Sequence, residues 1–249
     1  MKNNNVIFIA HRGESHDAPE NTLAAINLAW SRNDDAVEID IQMSKDGTIV
    51  VFHDENTKRI TGAKKKVHDQ TYEELKHLDV GLHKGERWLH ERIPTLEEVL
   101  ETVPQDRKLF VEIKAANGIL GEIETILTRS HLRADQVILM DFNIRTVEKV
   151  KRIFPDRTVL WIVDVKTPGI ISPDVHTLIA KANKAGLDGL DVSSCDKVND
   201  AFAAAVRESG MLLYVWTVDD PTEAKRLMGS GVDGITSNCA YWLRKSVMA

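Results

Sequence analysis

Cysteine is scarce in this chain. Cys195 and Cys239 are the only two in 249 residues and form no Cys-x-x-Cys pair. That count excludes a disulfide framework and fits reduced thiols in a cytoplasmic protein. Long apolar runs are also missing. The opening run, Val6–Ala10, passes straight into His11-Arg12. It is too short for a signal peptide or a bilayer span, so a cytoplasmic protein without stable membrane insertion is expected. Positive charge is in deficit, with 32 Lys and Arg against 38 Asp and Glu, a net charge of -6. A general nucleic-acid binder normally carries a basic face, and this charge balance argues against one. No Gly-x-Gly-x-x-Gly follows the first strand and no phosphate-loop motif occurs, which removes the main support for a nucleotide-binding fold.

What the chain does have is an ordinary globular profile, 43% hydrophobic and 28% charged. Short apolar runs recur at Val6–Ala10, Val37–Ile41, Leu109–Ile113, Val137–Met140, Thr158–Val163, Leu187–Val192, Leu212–Val218 and Val232–Thr236. Most are separated by enough residues for a helix. Eight such strand–helix units predict a closed (β/α)8 barrel, the TIM-barrel fold, as a single domain over residues 1–249. Helix starts are marked at Thr95 with Glu98, at Ser172-Pro173 and at Asp220-Pro221. Gly186-Leu187-Asp188-Gly189-Leu190 echoes Gly231-Val232-Asp233-Gly234-Ile235, a hint of a repeated unit. Residues 44–53 read as a turn and a ninth strand, forming a hairpin after strand 2. Residues 54–94 are mostly polar, with Trp88 as the large apolar anchor and one helical piece near Thr71–Leu78. They predict a small insertion over the C-terminal face of the barrel. The tract Lys64–Lys66 reads as a solvated face, and nothing in the chain specifies an oligomeric state.

Chemistry concentrates at strand ends. In Val37-Glu38-Ile39-Asp40-Ile41 the period of two places both acids on one strand face. Adjacent buried carboxylates need a counter-charge, and a divalent cation supplies one through oxygen ligands. A solvated strand edge paired with lysines would accommodate the same two acids. Asp46-Gly47 signals a two-residue hairpin loop, which sets Lys45 against Thr48 and Asp40 against His53. In Leu109-Phe110-Val111-Glu112-Ile113-Lys114, Glu112 and Lys114 again share a face near the mouth. Glu112 completes a three-carboxylate metal site with Glu38 and Asp40, and Lys114 offers a point charge for phosphate. The first strand ends in His11-Arg12-Gly13, which adds an imidazole, a guanidinium fork and a close backbone approach.

Those residues carry a resemblance. His11-Arg12-Gly13, Ala18-Pro19-Glu20-Asn21-Thr22, Glu38-Ile39-Asp40, Lys45-Asp46-Gly47, Val51-Phe52-His53-Asp54, Glu112-Ile113-Lys114 and Val215-Trp216-Thr217-Val218 together resemble the glycerophosphodiester phosphodiesterases. The similarity runs from residue 6 to about residue 240. It implies a phospholipase-C-like TIM-barrel hydrolase that converts glycerophosphodiesters to an alcohol and glycerol 3-phosphate. His11 and His53 would form the acid–base pair, in either order. Glu38, Asp40 and Glu112 would bind Ca²⁺ or Mg²⁺, Arg12 and Lys114 would hold the phosphate, and Trp216 would line the glycerol side. Three departures from the usual pattern stand out: Ser44 where Thr is more frequent, Asp219 where Asn is common, and Asn238-Cys239-Ala240 in place of Asp-x-Pro. Other readings are a lysophospholipase D of the same fold, a non-catalytic metal or phosphate sensor, and a metal-dependent amidohydrolase. The last of these usually ends its first strand in His-x-His. The remaining histidines, among them His16, are expected on solvated surfaces.

Overall fold

The computed structural model describes residues 6–114, 118–166 and 174–248. Eight strands form the barrel: β1 (Ile7–His11), β2 (Ala36–Met43), β4 (Lys108–Ile113), β5 (Val137–Asp141), β6 (Val159–Val163), β7 (Gly189–Ser193), β8 (Leu212–Trp216) and β9 (Gly234–Ser237). All neighbouring pairs among these eight are parallel, and β1 pairs with both β2 and β9, so the sheet closes. The ninth strand, β3 (Ile49–Val51), lies antiparallel on β2 outside the closure. The eight predicted strand runs each correspond to a barrel strand.

Period-two alternation sorts side chains into two apolar layers. One parity, including Val37, Ile39, Val111, Leu139 and Val215, packs against helix residues such as Ile26, Val99, Ile123 and Leu227. The other parity, including Ile9, Phe110, Ile138, Leu160, Ile162 and Tyr214, forms a separate cluster without helix residues, the filled interior of the barrel. Phe110 meets Tyr214 edge-on with ring centroids 5.1 Å apart. Small residues make room for these rings. A Cβ on Gly234 would sit 2.7 Å from Tyr214 Cδ1 and 2.8 Å from Ile7 Cγ1. Gly234→Ala should therefore destabilise by about 1–3 kcal/mol. The check is the urea midpoint at unchanged slope.

Helix caps follow the sequence signals in two of three places. Thr95 and Glu98 form a reciprocal capping box, and Asp220 caps the helix Pro221–Ser230 with proline in its first turn. The third expectation needs correction. The helix Val175–Lys184 is capped by Asp174, whose carboxylate accepts from the His176 and Thr177 amides; Ser172 and Pro173 lie outside the described residues. The echoed Gly-x-Asp-Gly units share a role at the base of the barrel. Asp188 accepts from Val159 N and Asp233 from Leu213 N, each tying one strand start to the preceding strand.

The hairpin register also differs from expectation by one residue. Ile41 pairs with Val51 and Met43 with Ile49, so the loop is Lys45-Asp46-Gly47 and Asp40 faces Phe52 rather than His53. Gly47 adopts φ +89°, the left-handed residue that ends a three-residue hairpin loop. Ser44 stabilises it, accepting from Thr48 N and donating to Asp46 Oδ1.

Residues 54–94 hold more structure than their polarity suggests. Besides the expected piece, here Tyr72–Leu75, they contain Lys58–Thr61 and three 3-10 turns. They also carry their own apolar cluster of Ile60, Val67, Leu75, Val80 and Ile93 against Val50 and Phe52. Trp88 is thus not the sole large apolar anchor. Lys84 Nζ donates to Ser15 O and Arg87 to Asp17 O, which ties the segment to the loop after β1. Lys65 and Lys66 pair with Glu74 and Glu55 on the exposed surface, as a solvated face should. Among the described residues, no helix is long and apolar enough to cross a membrane.

Candidate active site

A cavity of about 180 Å³ opens at the C-terminal ends of the barrel strands. Strands β1, β2 and β4 and the segment after β3 line it with His11, Arg12, Glu38, His53, Glu112 and Lys114. Strands β5 to β9 supply Met140, Ile162, Asp191, Trp216 and Thr236. Seven of the eight residues singled out from sequence line this one space. The eighth, Asp40, lies just beneath, joined to Arg12 and Lys114.

Glu38, Asp40 and Glu112 point inward by strand parity and are all buried. One oxygen from each lies within 4.8 Å of the others. The solvated-edge alternative is therefore wrong for Glu38 and Asp40. Burial pushes the Glu38 carboxyl well above the usual range, reinforced by the charges of Asp40 and Glu112. Burial likewise raises Glu112 to about 7, with Asp40 adding to it. Burial would raise Asp40 as well, but Lys114 and Arg12 outweigh it and hold that group at about 2. Glu38 Oε1 is buried with no hydrogen-bond partner. An orphaned acidic oxygen beside two other carboxylates suits a hard divalent cation, which prefers oxygen donors.

The turn after β1 is shaped around this cluster. Arg12 takes φ +57°, and its amide donates to Glu38 Oε2 at 2.9 Å. Gly13 is required next, because a Cβ there would fall 2.6 Å from the Ala25 carbonyl carbon. Arg12 places Nε 3.1 Å from Asp40 Oδ2 and donates from Nη1 to Glu20 at 2.8 Å. Lys114 Nζ lies 2.6 Å from Glu112 Oε1 and 3.1 Å from Asp40 Oδ1.

The two histidines differ in what holds them. His11 Nδ1 lies 2.7 Å from Asn238 Oδ1. Asn238 Nδ2 donates to Asp219 Oδ2, also at 2.7 Å, which fixes the amide so that its oxygen faces His11. Nδ1 then carries the hydrogen and Nε2 is left with a free lone pair. Burial, with the Arg12 charge behind it, pulls His11 down to about 4. His53 Nδ1 instead meets a carboxylate, Asp54 Oδ1, at 2.6 Å. Asp54 is held by Arg59, which also grips Glu20.

Several of these residues had not been assigned a role from sequence. Glu20, Asn21 and Asp54 sit inside the quoted motifs; Asn21 donates to Asp40 Oδ2 and accepts from Asp40 N. Asp219 and Asn238 had registered as separate departures, and the structure brings them into contact. In sequence Asp191 is one acid within the apolar run Leu187–Val192, and Arg59 carries no signal. His16 is exposed and paired with Asp17, in keeping with a solvated loop.

Comparison with known proteins agrees with this geometry. A model of the glycerophosphoryl diester phosphodiesterase family matches residues 11–239. The chain is 32% identical over 237 residues to a glycerophosphodiester phosphodiesterase of Caldanaerobacter subterraneus, covering 93% of each. Among solved structures, an Oleispira antarctica phosphodiesterase in complex with the product sn-glycerol-3-phosphate superposes with a TM-score of 0.84 at 27% identity. The match covers 98% of this chain and 97% of that one. A Thermotoga maritima glycerophosphodiester phosphodiesterase gives a TM-score of 0.77 at 28% identity, covering 96% and 97%.

Proposed function

The chain belongs to the glycerophosphoryl diester phosphodiesterase family, and we propose that its cavity hydrolyses glycerophosphodiesters to an alcohol and sn-glycerol 3-phosphate with His11 and His53 as base and acid. The observation that carries this reading is the convergence of two imidazoles, two cations, Glu38 and Glu112 on one cavity, with Asp40 completing the carboxylate cluster beneath it. The product bound by the Oleispira antarctica relative supports the choice of substrate.

A phosphodiester resists attack because it is anionic and its alkoxide is a poor leaving group. Arg12 and Lys114 face the phosphate and offset its charge. Glu38, Asp40 and Glu112 would hold Ca²⁺ or Mg²⁺, which when bound acts as a Lewis acid toward a phosphate oxygen. His11 Nε2, bare and held neutral, accepts the proton of the attacking oxygen. His53, oriented by the Asp54 carboxylate at its Nδ1, donates to the departing alcohol. Trp216, which meets Phe142 edge-on at 5.7 Å, walls the glycerol side.

In this scheme Asp54 is a positioning residue. Asp54→Asn should lower kcat by about 10- to 100-fold with little change in KM, by analogy with partners that orient other histidines. Steady-state kinetics on glycerophosphocholine check this, and an equal rise in KM would point to general disruption instead.

One observation keeps a lysolipid substrate in view: Leu82 and Leu89 of the 54–94 segment and Phe142 at the mouth are exposed. Parallel assays of glycerophosphocholine and lysophosphatidylcholine test the choice. The proposal expects glycerophosphocholine to be turned over at least tenfold faster per unit concentration, a margin that needs only about 1.4 kcal/mol. The reverse order would overturn it.

A further inference from the structure

Asp191 has no part in the chemistry above. It lies in the middle of β7 and is 3% exposed, with its Oδ1 buried and without a hydrogen-bond partner. Yet it lines the same cavity, in company with Met140, Ile162, Trp216 and Thr236. Trp216 Nε1 donates to the backbone oxygen of Asp191 at 3.2 Å, which joins the two residues in the cavity wall. Tyr214, its partner across β8, closes the barrel interior beneath.

Among the described residues, no Lys or Arg is paired with this acid. Arg12 is paired with Glu20 and Asp40, and Lys114 with Asp40 and Glu112. An uncompensated carboxylate in such a place is costly, so the group keeps its proton. Burial, with the Glu112 charge adding to it, raises its pKa well above the ordinary carboxylate range. A protonated carboxyl is one O–H donor with acceptor capacity to spare. Set in an apolar wall, it matches a neutral group that also donates and accepts, which describes an alcohol hydroxyl.

We propose that Asp191 is a specificity-determining residue that hydrogen-bonds a free hydroxyl of the substrate's glycerol moiety from the wall of the cavity. This inference rests on the reading of the cavity as a glycerophosphodiester hydrolase. It asks more of the site than that reading does, because it names the group that tells glycerol from a plain alkyl chain.

The test uses two p-nitrophenyl phosphodiesters with the same leaving group, one of glycerol and one of propan-1-ol. The ratio of their kcat/KM values cancels any general loss of activity within a variant. The wild-type enzyme is expected to prefer the glycerol ester on the order of 10²-fold, since a site built for a hydroxyl rejects the analogue lacking it. Asp191→Leu should cut that preference at least tenfold. Asp191→Asn, a neutral amide of the same shape, should keep it within about threefold. An unchanged preference in Asp191→Leu overturns the proposal. So does Asp191→Asn losing as much as Asp191→Leu, because a hydrogen-bonding neutral group would then not suffice. Should the leucine variant fail to fold, Asp191→Ala gives the same ratio. A wild-type enzyme that cleaves the propyl ester and not the glycerol ester would instead strike the functional reading beneath.

Discussion

Replacing His53 by alanine should lower kcat for glycerophosphocholine by about 10²–10⁴-fold, the range over which a positioned acid or base contributes. His11→Ala should do the same. The two losses should not add, since the double variant retains only the catalysis that binding and electrostatics supply. Leaving-group dependence separates the two roles. Nitrophenolate departs without a proton, so on a p-nitrophenyl ester the His53→Ala variant should recover most of its deficit while His11→Ala should not. That asymmetry follows from the partners of each ring, an amide oxygen at His11 and a carboxylate at His53. A His53→Ala enzyme with wild-type turnover on glycerophosphocholine would sink the two-histidine scheme. The reverse leaving-group pattern would exchange the roles.

The second large effect is expected at Glu38, where activity and stability should move in opposite directions. Glu38 packs beside Asp40 and Glu112 with an oxygen that no protein group satisfies. A neutral amide removes like-charge repulsion from this buried cluster. Glu38→Gln should therefore stabilise the metal-free protein, by about 1 kcal/mol. The same change removes one of three acidic donors. Turnover should fall by about 10²–10⁴-fold, if lost charge stabilisation amounts to several kcal/mol. Thermal unfolding supplies a readout free of catalysis. Ca²⁺ or Mg²⁺ at about 100 times its Kd should stabilise the wild-type protein by about 2.7 kcal/mol, and the variant far less. A variant that binds the ion as tightly as wild type would remove Glu38 from the ligand set.

Legibility from sequence followed the range of the physics involved. Barrel strands could be read because near-continuous apolar runs are what burial on both faces demands, and each run sits where a strand does. Glu38, Asp40 and Glu112 could be read because strand parity is rigid: once one residue faces inward, so does the next but one. The hairpin failed by one residue because Asp46-Gly47 suits two loop lengths, and the choice fell to Ser44, whose hydroxyl bonds inside the loop. His53 still reaches the cavity, from one residue past the point of contact expected for it. Arg59 and Asp191 were out of reach because their significance depends on spatial neighbours far along the chain. Asp219 and Asn238 show the same limit most clearly. As sequence they are two unrelated departures from a pattern, whereas in space Asp219 holds Asn238 and Asn238 meets His11. The carboxylate and the amide have in effect exchanged places, and the exchange leaves a neutral oxygen facing the imidazole.

The most direct measurement is release of sn-glycerol 3-phosphate from glycerophosphocholine, followed with and without EDTA and after return of Ca²⁺ or Mg²⁺. The proposed function predicts turnover that EDTA abolishes and one of the two ions restores, because the carboxylate cluster is built from oxygen donors that suit them. Undiminished turnover in EDTA would contradict the metal assignment, and no product with either ion from the folded protein would contradict the function itself.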